Sequence, residues 1–294
     1  MNPTSEEFSM PRHLWKLALC LYLATLPATQ AGDKPSKGLR VYTAGHSFHV
    51  FVSPLLAEIA KEPAVKDHKN SGMHFIGGSR VEQHWKIPDD KSKAKQLLSK
   101  GEVDVLTLSP VMVPDEGIDN FVNLGLKHNK DIRFTVQANW LPWDVYDPKT
   151  PLFPRFTDFN AATAEKLKKI HKPYFESIDK QVSELNKAVA KDAVLVVPIG
   201  QAVIALREKV IDGKAPGIKK QGDLFEDAMG HPKIHVKLLD AYCHYAVIYK
   251  RSPVGLPVPP SLTKARVAEA EKLNTLLQEI AWDTVKGHSL SGVQ

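Results

Sequence analysis

The sequence predicts an α/β protein with three layers, in which helices cover both faces of a mostly parallel five-stranded sheet. Five short runs of apolar and β-branched residues alternate along the chain with longer segments of helical spacing. This alternation is typical of parallel strands connected by helices. The 294 residues, of which 43% are hydrophobic, are also sufficient to bury one large core.

The first 31 residues are predicted to be a signal peptide. Arg12 and Lys16 flank an apolar run that continues to Leu26, and small residues close the segment before Ala31. We therefore expect cleavage near Ala31 and export to the periplasm or the extracellular space. The apolar run is too short to span a bilayer comfortably, so we expect no stable membrane insertion after cleavage.

The rest of the chain is predicted to form one domain. A polar linker at 32–38 leads into a single domain at 39–290, without internal repeats or low-complexity tracts. Cleavage would leave Cys243 as the only cysteine, so no intrachain disulfide is expected. The net charge is +6, but its lysines are scattered and form no dense basic run, so no nucleic-acid partner is expected.

The five predicted strands differ in how continuous their apolar character is. They are placed at 39–43, 73–76, 104–108, 132–137 and 193–198. After Asp104, the third is β-branched and apolar, as expected of a buried central strand.

Seven segments are predicted to be helical from the spacing of their apolar residues. They are placed at 52–61, 89–99, 118–126, 161–191, 201–210, 234–249 and 262–285. The connections at 140–154 and 212–232 are long, and long connections in compact domains are often functional.

A serine follows the first predicted strand. Gly45, His46 and Ser47 come at the carboxyl end of that strand, where the reactive residues of parallel α/β sheets collect. An attacking serine needs a base to take its proton and a carboxylate to orient that base. Asp227 and His231 lie in one short loop before a predicted helix and are our candidates for these two roles.

This order of residues resembles the SGNH (GDSL-like) hydrolases, in particular divergent secreted bacterial members. The block around Ser47 stands where that family has its early nucleophile block, and Gly78 matches the glycine of its second block. Asp227 and His231 stand for its late acid and histidine, with one extra residue between them. The segment at 249–255 also resembles the closing block of some divergent bacterial members. The resemblance implies a flavodoxin-like fold and a serine esterase that needs no cofactor.

The resemblance also implies an oxyanion hole, which the sequence completes only in part. Its donors would be the N–H groups of Ser47 and Gly78 and the side chain of an asparagine after the central strand. Here that strand is followed by Ser109 and Pro110, without an asparagine. Asn139, after the next strand, and Ser109 are the two candidates for the third donor.

Other interpretations of these residues remain open. Ser47 could cap the following helix, and Asp227 and His231 could cap the helix near residue 234. An α/β-hydrolase elbow is disfavoured because its serine lies mid-chain and a glycine would be needed where His49 stands. No tight metal-ligand spacing is present despite twelve histidines, so no metal is expected.

Two further side chains could form a rival acid–base pair. Asp240 and His244 lie one turn apart within a predicted apolar helix, where a structural hydrogen bond is the favoured interpretation.

The expected substrate is an ester, with carbohydrate O-acyl or O-acetyl esters favoured by the predicted export and by the resemblance. Trp85 and Trp140 follow predicted strands and could stack on sugar rings, and His46 and His49 flank the serine. These four residues are the predicted substrate-binding residues. The alternative is an exported glycan-binding protein without catalytic activity, because the third oxyanion donor is not in its usual place.

Overall fold

The computed structural model describes residues 36–61 and 63–293. The predicted signal peptide and most of the predicted linker lie outside these residues. The strands of the described part are β1 (Ser36–Lys37), β2 (Arg40–Gly45), β3 (Val65–Lys66), β4 (Lys69–Phe75), β5 (Val105–Leu108), β6 (Arg133–Gln137) and β7 (Val194–Val197).

The α-helices of the same residues alternate with these strands. They are α1 (Val52–Ile59), α2 (Val81–Trp85), α3 (Lys93–Ser99), α4 (Glu116–His128), α5 (Ala164–Ala188), α6 (Ile199–Ile211), α7 (Ile234–Tyr249), α8 (Pro260–Lys264) and α9 (Ala270–Lys286). Within the described ranges, no helix is both long and apolar enough to cross a membrane.

Five strands form the main sheet, in the order β4-β2-β5-β6-β7, and all of its pairs are parallel. The predicted parallel five-stranded sheet is thus confirmed, with β5 at its centre. After β2 the chain forms β4 on one side of β2 and then β5 on the other side of β2. In such a sheet a crevice opens at the carboxyl ends of the two strands between which the chain changes direction, here β2 and β5. Ser47 follows β2 and Ser109 follows β5.

Helices cover both faces of the sheet, as predicted. Successive strand residues point to opposite sides, so the apolar strands present side chains to the helices on each face. Val41 and Val105 join the core beneath α1, α6, α7 and α9, whereas Tyr42 and Leu106 join the core beneath α2 to α5. α7 is buried on nearly its whole circumference. The three-layer architecture follows directly.

The structure differs from the prediction in short elements. Residues 36–37 of the predicted linker form β1, which pairs with β3. The predicted final helix is divided into α8 and α9, because Arg266 and Glu269 adopt left-handed backbone conformations that a continuous helix excludes. α2 was not predicted, since five residues are too few to show a helical period.

Candidate active site

Ser47 lies in a tight turn directly after β2. The backbone N–H groups of His49 and Val50 both donate to the carbonyl of His46, at 2.9 and 3.1 Å. The side chain of Ser47 is partly exposed, and α1 begins after Phe51 without a side-chain cap from this serine. The turn therefore presents the hydroxyl at the open edge of the sheet.

Gly45 is required for a different reason from the bend that the sequence suggests. Its φ is not positive, but a Cβ at this position would lie 2.7 Å from Cδ2 of His49. The missing side chain thus makes room for the buried His49 ring, which packs directly against the end of β2.

Ser47, His231 and Asp227 are connected by hydrogen bonds. Asp227 Oδ2 accepts from His231 Nδ1 at 2.6 Å, which leaves Nε2 as the acceptor on the other side of the ring. Ser47 Oγ lies 3.0 Å from that Nε2 and donates to it. The sequence predicts that these three residues act together as nucleophile, base and orienting acid. In the structure Ser47 and His231 are in contact although 184 positions separate them in the chain.

The Asp227 carboxylate is held in its charged form by its hydrogen bonds. Partial burial raises its pKa, but the bonds from the ring and backbone N–H of His231 and from the backbone N–H of Gly230 outweigh this effect. Its pKa therefore lies below the usual value of an aspartate. A charged Asp227 is the form that orients and stabilises an imidazolium.

The loop that carries Asp227 and His231 is closed at its base and held at its tip. Phe225 and Pro232 form an antiparallel bridge, and Glu226 N donates to His231 O at 2.8 Å. At the tip, Trp140 Nε1 donates to Gly230 O at 3.0 Å. The position of His231 is thus fixed by backbone contacts on both sides.

Phe48 is a functional candidate that the sequence did not indicate. Its ring stacks on Trp140, with centroids 4.8 Å apart, and meets the edge of the His231 ring at 5.2 Å. Phe48 therefore packs between the Trp140 ring and the imidazole of His231. An apolar residue within an otherwise polar turn is the signal that could have indicated it.

A cavity of about 410 Å³ opens beside Ser47 and contains several of the predicted residues. Ser47, His231, Gly78, Asn139 and His46 all line it. Gly78 has a φ of +58°, which favours glycine. The cavity thus brings together the predicted nucleophile, its base and two of the predicted oxyanion donors, Gly78 and Asn139.

Asn139 belongs to a buried hydrogen-bond network beneath the cavity. Its Nδ2 donates to Ser109 Oγ at 2.9 Å, and its Oδ1 accepts from Gln137 Nε2. It also interacts with the hydroxyl of Tyr174, whose pKa burial raises to about 12. Ser109 is 1% exposed and is not among the residues that line the cavity, so of the two candidates only Asn139 lines it.

His46 lines the cavity but is already engaged on both ring nitrogens. Phe48 N–H donates to Nδ1, so Nε2 carries the proton and donates to Ser109 Oγ at 3.1 Å. Burial, with the nearby His49, lowers the pKa of His46 to about 3. At neutral pH this ring is an uncharged part of the cavity floor.

The structure does not place His49 where a substrate could touch it, which corrects the prediction. The residue is fully buried, its Nδ1 donates to Gln137 and its Nε2 accepts from Thr107 Oγ1 at 3.0 Å. Burial lowers its pKa to about 4. His49 connects the turn to β5 and β6 instead.

The tryptophans also require a correction. Trp85 does not line the cavity, because its ring packs against Phe121 at 5.2 Å and lies under the ammonium of Lys95. Trp140 does line the cavity, but its N–H is used by Gly230. The predicted aromatic platform for sugars is thus reduced to one ring.

Asp240 and His244 form a buried pair away from the cavity. His244 Nδ1 lies 2.9 Å from Asp240 Oδ1, and both side chains are inaccessible to solvent. Burial raises the pKa of Asp240 well above its usual value and lowers that of His244 to about 4. This is the structural interpretation that the sequence favoured. In the described part of the chain, no three His, Cys, Asp or Glu side chains are grouped to hold a metal ion.

No family model matches the sequence, and no curated protein matches it either. Solved structures similar to the chain include a DUF4886 family protein from Bacteroides uniformis, with 13% identity, a TM-score of 0.50 and coverage of 87% of this chain and 97% of that one. A GDSL-like lipase from Parabacteroides merdae has 12% identity, a TM-score of 0.44 and coverage of 72% and 97%.

A phospholipase A1 from Streptomyces albidoflavus is similar at 10% identity, with a TM-score of 0.33 and coverage of 60% of this chain and 86% of that one. At 13% identity, the likeness to the Bacteroides protein shows a shared fold and nothing about activity.

Proposed function

We propose that this protein is an exported serine hydrolase of the SGNH type, which cleaves carboxylic esters through an acyl-enzyme. The observation that carries the proposal is the chain of hydrogen bonds from Ser47 Oγ through His231 to Asp227. Its two distances, 3.0 and 2.6 Å, lie within the range required for proton transfer. Export follows from the predicted signal peptide.

In the proposed reaction, Ser47 Oγ attacks the ester carbonyl while His231 Nε2 takes its proton. The resulting imidazolium is stabilised by the charged Asp227. The tetrahedral intermediate collapses when His231 returns the proton to the leaving alcohol. Water, activated by the same histidine, then hydrolyses the acyl-Ser47 ester, and no cofactor takes part.

The oxyanion is proposed to lie between the N–H groups of Ser47 and Gly78 and the amide of Asn139. Asn139 Nδ2 carries two hydrogens, one of which goes to Ser109, and the amide also interacts with the Tyr174 hydroxyl, so in the proposed reaction the oxyanion takes the place of the tyrosine. Asn139 would thus replace, from the neighbouring strand, the asparagine expected after β5. Gln137 and Ser109 hold the amide plane in position for this role.

A non-catalytic glycan-binding protein was the alternative from the sequence. The hydrogen-bond chain favours catalysis, because binding alone does not need a histidine oriented toward a serine by a carboxylate. Carbohydrate esters remain a candidate class for the alcohol part, with Trp140 as the one predicted tryptophan at the cavity.

The test is hydrolysis of p-nitrophenyl acetate by the wild type and by Ser47→Ala. We expect Ser47→Ala to lower the rate at least about 10³-fold, because the nucleophile itself is removed. Equal rates for the two proteins, or no wild-type activity toward several acyl esters, would contradict the proposal. A metal-dependent hydrolase would instead lose activity in chelator and retain it in Ser47→Ala.

A further inference from the structure

The walls of the cavity beside Ser47 are predominantly apolar. Most of the side chains that line it are apolar, among them Phe48, Phe75, Val111, Trp140, Leu152 and Met229. Among the described residues lining the cavity there is no aspartate, glutamate, lysine or arginine. The cavity therefore offers a substrate little besides apolar contact away from the reacting atoms.

The polar side chains of the cavity are mostly committed to other partners. Both ring nitrogens of His46 are engaged, and the Tyr174 hydroxyl donates to Pro110 O at 3.1 Å. A buried sugar hydroxyl would leave water and find few new partners, which is unfavourable. An alkyl chain in the same place loses no hydrogen bonds and gains the burial of its methylene groups.

One wall of the cavity is built against the proposed oxyanion glycine. A Cβ on Gly78 would lie only 2.6 Å from Leu152 Cδ1, so this leucine covers the glycine closely. The loop that carries Leu152 is held by Asp147, which accepts from Thr150 Oγ1 and pairs with Arg155 at 2.6 Å. An apolar surface is thus fixed within reach of the reacting carbonyl.

The apolar surface continues to the outside of the molecule. Phe75 is 52% exposed and Leu152 37%, and both line the cavity. Large apolar side chains clustered at a cavity mouth are typical of a site for an apolar ligand.

A second groove meets the cavity at Ser47, so an ester bound there has room on both sides of its scissile bond. Ser47, Phe75 and His231 line both depressions. The second is otherwise lined by apolar side chains and, unlike the cavity, by the ion pair of Glu226 and Lys237, at 2.9 Å. A scissile bond at Ser47 can therefore direct one part of the substrate into the apolar cavity and the other along the groove beside this ion pair.

We propose that the cavity holds an apolar acyl chain and that the groove beside Glu226 and Lys237 holds the alcohol part. An apolar cavity of about 150 Å³ holds benzene, so 410 Å³ has room for a chain of about eight carbons or more. This inference rests on the proposed function. It narrows the sequence expectation of O-acyl or O-acetyl esters to the longer acyl groups, since an acetyl group would leave most of the cavity unfilled.

The first test is a chain-length series of p-nitrophenyl esters, from acetate to decanoate, at concentrations below micelle formation. We expect kcat/KM to rise at least about tenfold from acetate to octanoate, because each buried methylene contributes favourably. Hydrolysis of acetate that equals or exceeds that of octanoate, and is abolished in Ser47→Ala, would overturn this inference while leaving the proposed function intact.

The second test narrows the cavity. Val111→Trp is expected to lower the octanoate-to-acetate ratio of kcat/KM at least about tenfold, because the indole occupies the space of the chain. The matched control is Val254→Trp, since Val254 is 41% exposed and does not line the cavity. Circular dichroism establishes that both variants fold. An unchanged ratio in a folded Val111→Trp variant would contradict the inference.

Binding gives a third measurement that does not depend on turnover. Octanoate is expected to change the fluorescence of Trp140, and to bind the wild type at least tenfold more tightly than acetate does. The same preference is expected in Ser47→Ala. The fluorescence change itself is expected to be absent in Trp140→Phe, which assigns the signal to this ring. Should the wild type hydrolyse no ester, the proposed function fails, and the octanoate preference still decides the inference: equal binding of the two acids would overturn it.

Discussion

Asp227 is the residue whose role is most sharply defined by its contacts. One carboxylate oxygen accepts from the His231 ring, and the other accepts from two backbone N–H groups of the same loop. The backbone bonds fix the carboxylate, and the carboxylate fixes the ring tautomer. The imidazole is thereby left with an acceptor nitrogen directed at Ser47.

Asp227→Asn should lower kcat for ester hydrolysis about 10³–10⁴-fold, because an amide can donate to Nδ1 and stabilise the wrong tautomer. The Asp227 side chain is 48% exposed, so we expect the free energy of unfolding to change by no more than about 1 kcal/mol. Steady-state kinetics and urea unfolding measure the two quantities. The matched control is Asp212→Asn, an exposed aspartate paired with Lys214. Equal activities of Asp227→Asn and wild type would contradict the assigned role.

Asn139 and Ser109 can be distinguished as oxyanion donors by kinetics. Asn139→Ala should lower kcat about 10²–10³-fold with little change in KM, as expected when a donor acts only in the transition state. Ser109→Ala should lower kcat less, because Ser109 does not line the cavity and acts on the substrate only through the Asn139 amide and the His46 ring that donate to it. A larger loss in Ser109→Ala than in Asn139→Ala would assign the donor to the serine instead.

The sequence allowed some residues of this site to be predicted and not others. Ser47, Asp227 and His231 could be chosen because their order along the chain matches a known arrangement of blocks. The interior position of His49 could not, because its partners Gln137 and Thr107 are 88 and 58 positions away. Contacts between distant residues leave no local pattern.

At the scale of elements, local periodicity explains both the successes and the failures. The buried strands β5 and β7 were predicted because four or more consecutive apolar or β-branched residues have few alternatives in a soluble domain. β4 is longer than predicted, since Lys69 to Gly72 at this edge of the sheet are not apolar. β1 and β3 have two residues each, which is too short for any period.

One buried ion pair holds the elements around the site together. Arg207 of α6 is 2% exposed and donates to both oxygens of Asp144 at 2.6 and 2.9 Å, and also to the carbonyl of Phe159. Asp144 ends the short 3₁₀ turn Pro142–Asp144, next to the residues that line the cavity. Trp143 N donates to Met229 O, which extends the same support to the loop of His231.

Arg207→Ala should lower the free energy of unfolding by about 3–5 kcal/mol, because it leaves a nearly buried carboxylate without its partner. The double variant Arg207→Met/Asp144→Leu should recover part of this loss, since it removes both charges. Urea unfolding of the three proteins measures the effect. A single variant as stable as the wild type would show that the pair does not anchor this region.

At the scale of the whole molecule, histidines buried in their uncharged form make the free energy of unfolding depend on pH. His46, His49 and His244 are fully buried and have pKa values lowered by burial to about 3, 4 and 4. In the unfolded chain each of these histidines has a pKa of about 6.5, so it takes up a proton at a higher pH than it does in the folded protein. Their contribution is therefore fully present above pH 6.5 and is lost as the pH falls toward 4.

Acidification should accordingly destabilise the fold. Asp240 acts in the opposite direction, because its raised pKa favours proton uptake by the folded state. The three histidines outweigh this one carboxyl, and we expect the free energy of unfolding to fall by about 2 kcal/mol or more between pH 7 and pH 5. Urea unfolding at the two pH values tests the balance. Equal or greater stability at pH 5 would show that these rings are charged or exposed in the folded protein.

The fold as a whole brings together residues that are far apart in the chain. The strand order places the turn after β2 at the point where the sheet changes direction, and the loop before α7 returns to the same edge. The sequence sufficed to predict this architecture. It did not predict the apolar character of the cavity, because Phe48, Val111, Leu152 and Met229 come from four separate loops.

The most direct test of the proposed nucleophile is covalent labelling by a fluorophosphonate, followed by intact mass and peptide mapping. We expect a single adduct on Ser47, its absence in Ser47→Ala, and labelling slowed at least about 100-fold in His231→Ala, because an unassisted serine is a weak nucleophile. Ser53, which is buried in α1, serves as the internal control and should remain unlabelled. An unlabelled wild-type protein, or an adduct on any residue other than Ser47, would contradict the account.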